Sequence, residues 1–344
     1  MDTLDAICAL PKVELHVHIL GSIRPETLLS IIREDGVKAP YTTVEEITKR
    51  FEYTDFMNFL RTYMEIVEYI TDERHFEQIT YEMLQNCAKS NVHYVEASFS
   101  PPDHIQKGLR FNAMLDSINR GIKRARHDFQ VETNIRVDTC RSSTFEQAME
   151  ILNQIEKKPD NIISLDLGGD EKQFPPGRFA EHYKRATTLG LHRVAHAGEG
   201  AGPESIWDAI HSLDVERIGH GVTARQDSDL IEYLKHKQIA IEMCPVSNLR
   251  TGVVASIEEH PIREFYDRGL LVTVSSDDPS LFHTNMNNEY IQLHEHLNFS
   301  LEELFQISLN GIKTAFIGES SKSELQKRFS EEYNEIESQV VTSV

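Results

Sequence analysis

Two histidines separated by one residue end a short apolar run near the start of the sequence. The run is PKVELHVHILG, residues 11–21, and it predicts a β-strand. Alternate side chains of a strand share one face, so His16 and His18 point the same way while the residues between them face the opposite layer. Two imidazoles on one face can bind a single metal ion. The rest of the sequence must then supply the remaining ligands.

Further ionisable side chains follow other predicted strands. His196 lies in RVAHAGEG, His220 in RIGHGV, and the pair Asp277 and Asp278 in SSDDP. A single histidine among the 16 of this chain is usually exposed or hydrogen-bonded within the structure, which is the alternative for each one. Glycines flank His220, and Gly198 follows His196, so that backbone and ligand can come close. The combination favours one shared site over separate structural histidines.

These residue types suit hydrolysis at a metal centre. His16, His18, His196 and one carboxylate would offer nitrogen and oxygen ligands to zinc and leave one position open for water. His220 would orient that water and carry its proton. Glu199, in the glycine-rich turn after His196, would act as an acid if its carboxyl faces an apolar pocket. The alternative for Glu199 is a solvated loop carboxylate.

Alternating strand and helix patterns position these residues. Counting the opening strand, about eight strand-helix units are predicted, the number that closes a (β/α)8 TIM barrel of the α/β class. The C-terminal ends of barrel strands gather at one mouth, where the ionisable groups above would converge. The further strands are predicted at residues 93–99, 133–139, 162–167, 192–196, 217–219, 240–243 and 271–275, and helices between them at residues 111–126, 143–157, 177–188, 204–213, 227–237 and 261–268.

Additional helices are predicted at two places in this barrel. After a first helix at residues 25–33, a helical insertion covers about residues 43–90, and three more helices follow the last strand at residues 287–297, 301–316 and 323–339. An insertion after the first strand would lie over the strand ends, so Phe56, Phe59 and Leu60 are candidates for a substrate lid. Ordinary packing against the barrel wall is the alternative for these side chains.

Composition narrows the range of partners. The 344 residues carry a formal net charge of −20, which disfavours nucleic acid and anionic membrane surfaces and suits a small neutral substrate. The four cysteines are far apart in sequence, and no basic leader or membrane-spanning stretch is evident, which favours a reduced, cytoplasmic protein. No linker or repeat divides the chain, so residues 1–344 are expected to form a single barrel domain. The oligomeric state does not follow from the sequence.

Seven segments, taken together, resemble the adenosine deaminase family within the metal-dependent amidohydrolase barrels. The likeness covers residues 10–316 and is specific in combination, although single pieces such as GHG are not. It implies a one-zinc enzyme that hydrolyses the amine at purine C6 of a small purine nucleoside and releases ammonia. The segments are PKVELHVHILGSIRPETL, YVEASFSP, DLGGDE, HRVAHAGEG, RIGHGV, EMCPVSN and SSDDP.

The resemblance also implies individual roles. Glu199 would protonate purine N1, and His220 would assist the water that attacks C6. Asp278 would hold N7, free to accept a hydrogen bond because its neighbour is neutralised by zinc, and the backbone amide of Gly169 in DLGGDE would meet N3. The zinc ligands would be His16, His18, His196 and Asp277.

One position departs from the family pattern. Adenosine-selective members usually carry an acidic residue two places after the second histidine, where it meets the ribose 5′-hydroxyl. This chain has Leu20, which is therefore expected to contact the substrate at a 5′ end that is unsubstituted, apolar or larger than a hydroxyl. Adenosine or an adenosine-type nucleoside is the first reading of the substrate. The alternative is a 5′-modified adenosine, for example a 5′-deoxy, 5′-thio or aminodeoxyfutalosine-type nucleoside, or adenine.

Other sequence features bear on these alternatives. The DLGGDE loop favours a nucleoside over free adenine, and the absence of an evident phosphate-binding Gly-Lys element disfavours AMP. Two readings outside this substrate class remain: hydrolysis of a different amine or amide on the same fold, and a catalytically silent nucleoside-binding protein.

Overall fold

Eight parallel strands form one sheet whose order follows the sequence. The computed structural model describes residues 1–53, 55–158 and 161–341. Every consecutive pair from the first strand to the eighth is hydrogen-bonded in parallel. The strands are β1 (Lys12–His18), β2 (Val92–Phe99), β3 (Glu132–Asp138), β4 (Ile162–Asp166), β5 (His192–Ala197), β6 (Arg217–His220), β7 (Ala240–Met243) and β8 (Val272–Val274).

The sheet closes on itself between its last strand and its first. Just beyond β8, the Asp277 N–H donates to the carbonyl of His16 at 3.0 Å, and the His18 N–H donates to the carbonyl of Asp277 at 2.8 Å. Val17 and Asp277 form the corresponding parallel bridge. The predicted (β/α)8 barrel is therefore confirmed.

Sixteen α-helices of the described residues surround or extend this barrel. The insertion after β1 is helical as expected and holds α3, α4 and α5, and three further helices follow β8. The helices are α1 (Thr3–Ala9), α2 (Pro25–Glu34), α3 (Val44–Arg50), α4 (Phe56–Tyr69), α5 (His75–Lys89), α6 (Pro101–Gln106), α7 (Phe111–Phe129), α8 (Phe145–Lys157), α9 (Ala180–Thr188), α10 (Pro203–Leu213), α11 (Ser228–Lys237), α12 (Pro245–Arg250), α13 (Ile262–Asp267), α14 (Met286–Leu297), α15 (Leu301–Thr314) and α16 (Glu319–Val341).

Three short helices were not predicted. The helices α1, α6 and α12 contain seven, six and six residues, too few for an apolar period to be read from the sequence. Both α6 and α12 begin on a proline directly after a strand end, where a fixed φ angle favours a helical turn. The predicted helix at residues 177–188 is divided, since residues 176–179 form a 3-10 turn before α9.

Two further observations concern the chain as a whole. The four cysteines, at positions 8, 87, 140 and 244, are free thiols, as expected. Within the described residues, no helix combines the length and the apolar character that crossing a bilayer requires.

Candidate active site

Four side chains from three separate strand ends meet at the mouth of the barrel. The Nε2 atom of His16 lies 2.9 Å from Nε2 of His196, and Nε2 of His18 lies 3.3 Å from the same atom. Oδ1 of Asp277 lies 3.4 Å from His16 Nε2 and 3.3 Å from His18 Nε2. All four residues are buried. The structure thus brings together the four side chains that the sequence predicted as metal ligands, and these four residues are called the metal cluster from here on.

The donor set fits a metal ion. His16 turns Nδ1 to a carboxylate oxygen of Glu242 at 3.0 Å, and His196 turns Nδ1 to one of Asp166 at 3.2 Å. Because Nδ1–H of each of these two rings donates to a carboxylate, the Nε2 lone pairs face one another, an arrangement that needs a cation between them. Oδ1 of Asp277 is buried and has no hydrogen-bond donor among the described residues. The site therefore suits a metal with nitrogen and oxygen ligands.

A buried ionic network lies beneath these histidines. The guanidinium of Arg136 donates to Glu242 at 2.8 Å and to Asp166 at 2.7 Å, and it is fully buried. Arg217 contacts the other oxygen of Glu242 at 2.7 Å. Burial alone would raise the pKa values of Glu242 and Asp166, but the nearby cationic side chains hold both below their ordinary values. Both carboxylates therefore stay ionised and can accept from the histidines.

His220 lies beside the metal cluster in a constrained backbone conformation. Its φ angle is 62°, in the left-handed region that few residues other than glycine adopt. The side-chain amide of Asn248 contacts Nδ1 at 3.1 Å, which turns Nε2 toward Glu199 Oε2 at 3.7 Å and Asp277 Oδ2 at 3.9 Å. Ser247 donates to Asp277 Oδ2 at 2.6 Å. His220 is thus placed between the proposed acid and the proposed ligand.

Glu199 is held in the cavity by a second glutamate. Burial, followed by the charges of Asp277 and Glu171, raises the pKa of Glu199 well above its ordinary value. The Glu171 carboxylate accepts four backbone N–H bonds from the loop that carries Glu199, at 2.6 to 3.2 Å. The solvated-loop alternative for Glu199 is wrong, because the carboxyl is buried. The four donors are the N–H groups of Gly198, Glu199, Gly200 and Ala201.

Asp278 lies against the turn that follows β1. Burial and the neighbouring Asp277 charge raise the pKa of Asp278 well above its ordinary value. A Cβ atom on Gly21 would lie 1.7 Å from Oδ1 of Asp278, so only glycine leaves room for this carboxyl. A protonated Asp278 donates a hydrogen bond, whereas the sequence suggested that it accepts one. Gly21 lies within the segment PKVELHVHILGSIRPETL, but no local pattern in that segment indicates its role.

A cavity of about 280 Å³ contains these groups. Phe56, Phe59 and Leu60 of α4 line it, as expected for the lid candidates, and so does Gly169 with a φ angle of 110°. Oδ1 of Asp138 accepts from the Gly168 N–H at 2.9 Å and thereby holds the loop that carries Gly169. The other lining residues are His18, Met57, Tyr63, Met64, Ser100, Asp103, Asp138, Cys140, Arg141, Ser142, Gly168, Asp170, Gln173, Phe174, His196, Glu199, His220, Asp277 and Asp278.

Leu20 does not occupy the position expected of it. The chain enters a short 3-10 turn at residues 20–22, and the Leu20 side chain, 3 % exposed, packs in the hydrophobic core. Among the described residues that line the cavity, Leu20 is absent. The prediction that its side chain meets the substrate is corrected accordingly. Alternation of side chains ends where β1 ends, so the direction of residue 20 could not be read from the strand pattern.

Sequence reasoning missed the residues that support the site. Arg136, Asp166 and Glu242 are charged residues in strands that are otherwise mostly apolar. Charged residues at such positions could have predicted an ionic network inside the barrel. Glu171 stands in the quoted DLGGDE segment without a role. Its function depends on a loop from another strand, so no local pattern reveals it.

Comparison with known proteins identifies the family. The model of the family described as adenosine deaminase matches residues 11–332. An adenine deaminase of Wolinella succinogenes is 33 % identical over 329 residues, covering 95 % of this chain and 99 % of that protein. An aminodeoxyfutalosine deaminase of Streptomyces avermitilis is 33 % identical over 322 residues, covering 93 % and 90 %. The crystal structure of an adenine deaminase from Arthrobacter aurescens has a TM-score of 0.91 at 31 % identity and covers 94 % and 98 %.

These matches agree with the geometry of the cavity. The family model covers nearly the whole barrel, and the matched segment contains every residue of the metal cluster, Glu199 and His220. The chain belongs to the adenosine deaminase family and is a hydrolytic deaminase.

Proposed function

We propose that this enzyme uses one zinc ion to hydrolyse the C6 amine of an adenosine that carries an apolar group at its 5′ position. One observation carries the proposal: three imidazole nitrogens and an unpartnered carboxylate oxygen converge beside a buried carboxyl in a cavity of purine size. A zinc ion held by His16, His18, His196 and Asp277 would supply a Lewis acid that makes water nucleophilic at neutral pH.

The protein's own groups then act on the purine ring. The ring resists attack at C6 until N1 takes a proton, and Glu199 is the buried acid that would deliver it. His220 would orient the attacking water through Nε2, the atom turned toward Glu199 and Asp277. Ammonia then leaves, and the product is of the inosine type.

Two contacts would align the ring. Purine N7 carries a lone pair, so it needs a donor, and a protonated Asp278 supplies one. The backbone N–H of Gly169 would meet N3 from the loop that Asp138 holds. These two contacts and the one at N1 fix the plane of the ring and place C6 toward the metal cluster.

The first reading of the substrate, unmodified adenosine, is less well supported than its alternative. By their names, the relatives reported above are deaminases of adenine and of aminodeoxyfutalosine. Six lining residues belong to α4, and all but Tyr63 are apolar, so α4 forms an apolar wall of the cavity. Two of them, Met57 and Met64, are 44 % and 40 % exposed. Such a wall suits an apolar 5′ group better than a free hydroxyl.

A phosphate at the 5′ position does not suit the cavity. Apart from the proposed metal ligand Asp277 and the proposed ring contacts Glu199 and Asp278, the acidic residues that line it are Asp103, Asp138 and Asp170. Among the described lining residues, Arg141 is the only lysine or arginine. Arg141 already donates to the carbonyls of Phe174 at 2.5 Å and His196 at 2.6 Å. A phosphate would therefore face uncompensated negative charge, which disfavours AMP.

Free adenine is the second candidate. The adenine deaminases among the relatives favour it. The apolar wall of α4 argues against it, because adenine has no substituent to fill the outer cavity.

An ultraviolet assay on a panel of purines tests the proposal. The panel contains adenine, adenosine, 5′-deoxyadenosine, 5′-methylthioadenosine and AMP, and we expect the highest kcat/KM with the 5′-methylthio compound. Elemental analysis should find about one zinc per chain. The Glu199→Gln variant should keep its zinc and lose about 10²- to 10⁴-fold in kcat. A metal-free active enzyme, or a strong preference for adenosine or AMP, would refute the assignment.

A further inference from the structure

The position of the sugar follows from the order of the strands around the barrel. The proposed N1 contact, Glu199, follows β5, and the N3 contact, Gly169, follows β4. The N7 contact, Asp278, follows β8, and His220, opposite C6, ends β6. Around the purine the atoms run N1, N3, N9, N7 and C6. Between N3 at β4 and N7 at β8 lie β3, β2 and β1, so the N9 substituent faces the ends of these strands.

A polar cluster lines the cavity at two of these strand ends. It consists of Ser100 and Asp103 after β2 and of Asp138 and Cys140 at the end of β3. Asp138 is already occupied, because its Oδ1 accepts from the N–H groups of Cys140 and Gly168 and its Oδ2 accepts from the Ser100 hydroxyl at 3.1 Å. Asp138 therefore supports the wall and has little capacity for a ligand.

Asp103 is different, because it is buried without a full set of partners. The residue is 9 % exposed and lines the cavity. Its hydrogen-bond partner in the described structure is the thiol of Cys140, a weak donor, at 3.6 Å from Oδ2. Burial and the Asp138 charge raise the pKa of Asp103 to about 6, so it is mostly ionised at neutral pH. A buried carboxylate with an unfilled acceptor is costly unless a ligand donates to it.

We propose that Asp103 accepts hydrogen bonds from the vicinal ribose hydroxyls of the substrate, and so makes this deaminase selective for nucleosides. The inference rests on the proposed function and extends it to the sugar. A vicinal diol presents two adjacent O–H donors, which match the two oxygens of one carboxylate, as acidic residues do for ribose in dinucleotide sites. The apolar side chains of α4 would then face the 5′ substituent, while Asp103 recognises the opposite edge of the sugar.

The test compares ribose and deoxyribose substrates within each variant. For the wild-type protein we expect kcat/KM for 5′-deoxyadenosine to exceed that for its 2′-deoxy and 3′-deoxy counterparts about 10- to 100-fold. In Asp103→Ala, kcat/KM for the ribose compound should fall by that factor, whereas kcat/KM for the deoxy compounds should change less than about threefold, so the preference disappears. Turnover of adenine, which has no sugar, should be unaffected.

Two further variants complete the design. Asp229→Ala removes an exposed acidic residue from the distant helix α11 and should keep the full ribose preference. Asp103→Asn keeps the shape of the side chain and one acceptor oxygen, so we expect the ribose preference to fall less, about 3- to 10-fold. This variant replaces Asp103→Ala in the test if the alanine variant does not fold. The ratio of two substrates is independent of the fraction of active protein.

The outcomes separate this inference from the proposed function. If nucleosides are deaminated and Asp103→Ala retains the wild-type ribose preference, the role of Asp103 is refuted while the proposed function stands. If wild-type enzyme shows no ribose preference, the inference fails in the same way. If adenine alone is deaminated, the nucleoside assignment fails, and the sugar contact fails with it.

Discussion

Replacing Arg136 by methionine should weaken both the fold and the metal site. The guanidinium is fully buried and bridges Asp166 and Glu242, which in turn hold His196 and His16. Removing one partner of a buried ion pair costs about 3–5 kcal/mol. Asp166 loses its guanidinium partner, whereas Glu242 keeps Arg217, so we expect a value within that range. Because the two carboxylates that orient the histidines lose the cation that bridges them, metal affinity should fall on the order of 10- to 100-fold.

Two measurements separate these effects. Urea unfolding of the metal-free protein gives the change in the free energy of unfolding, and competition with a metal indicator gives the change in affinity. Arg136→Lys keeps the charge but lacks the planar fork, so it should recover stability in part and affinity less. Arg263→Met removes a more exposed guanidinium that pairs with Asp267 and Glu303 and should cost below about 1 kcal/mol.

Both effects are expected together in the Arg136→Met variant. A loss of stability with metal affinity unchanged within about twofold would mean that the ionic network supports the barrel but not the ligands. A loss of less than about 1 kcal/mol would mean that the two carboxylates find another cation or take up protons at little cost. Either result would refute the coupling described here.

Four other perturbations have defined outcomes. Glu171→Gln should lower kcat about 10- to 100-fold with metal retained, because an amide cannot accept all four loop N–H bonds. Glu204→Gln, at the start of α10, should leave kcat unchanged, because Glu204 accepts from the Gly202 N–H at the edge of the loop; kinetics and metal analysis test both variants. Gly21→Ala should displace Asp278 and lower kcat/KM by more than about tenfold with native circular dichroism. Chelation should abolish activity and lower the Tm in calorimetry, and zinc should restore both, since a ligand at 100 times its Kd contributes about 2.7 kcal/mol. Acid titration of the metal-free protein should show stability lost as pH falls below about 4, because the depressed pKa values of Asp166 and Glu242 make their contribution largest above their unfolded values.

The strand pattern predicted the barrel and the metal cluster well because both depend on local periodicity. His16 and His18 share a face by alternation. His196 follows the apolar residues Val194 and Ala195, and Asp277 follows a short apolar run that ends in two serines. The C-terminal ends of barrel strands lie together at one mouth, so the convergence of these residues could be predicted from the sequence alone. The proposed roles of Glu199 and His220 were inferred from their positions. Glu199 lies three residues after His196, and His220 lies between two glycines.

The errors and omissions have a different physical origin. Leu20 lies beyond the strand, where a 3-10 turn redirects the side chain into the core. Glu171 and Arg136 act across the barrel, through contacts with distant segments that no sequence window contains. The proposed 5′ substituent was inferred from the side chains of α4 at the rim of the cavity. Their positions depend on tertiary packing, which a local sequence pattern does not reveal. Sequence alone therefore predicted the convergence of the candidate metal ligands more completely than the surroundings of the substrate's 5′ group.

The backbone bonds that join Asp277 to His16 and His18 have a consequence for biosynthesis. The two histidines are synthesised long before Asp277, and their backbone groups pair with Asp277 once the barrel closes. If the proposed metal binds as described, a nascent polypeptide would not hold it at full coordination until the segment that follows β8 has left the ribosome and docked against β1. Metal binding would in this way report completed folding of the barrel, and a chain that ends before residue 277 would lack one of the four proposed ligands.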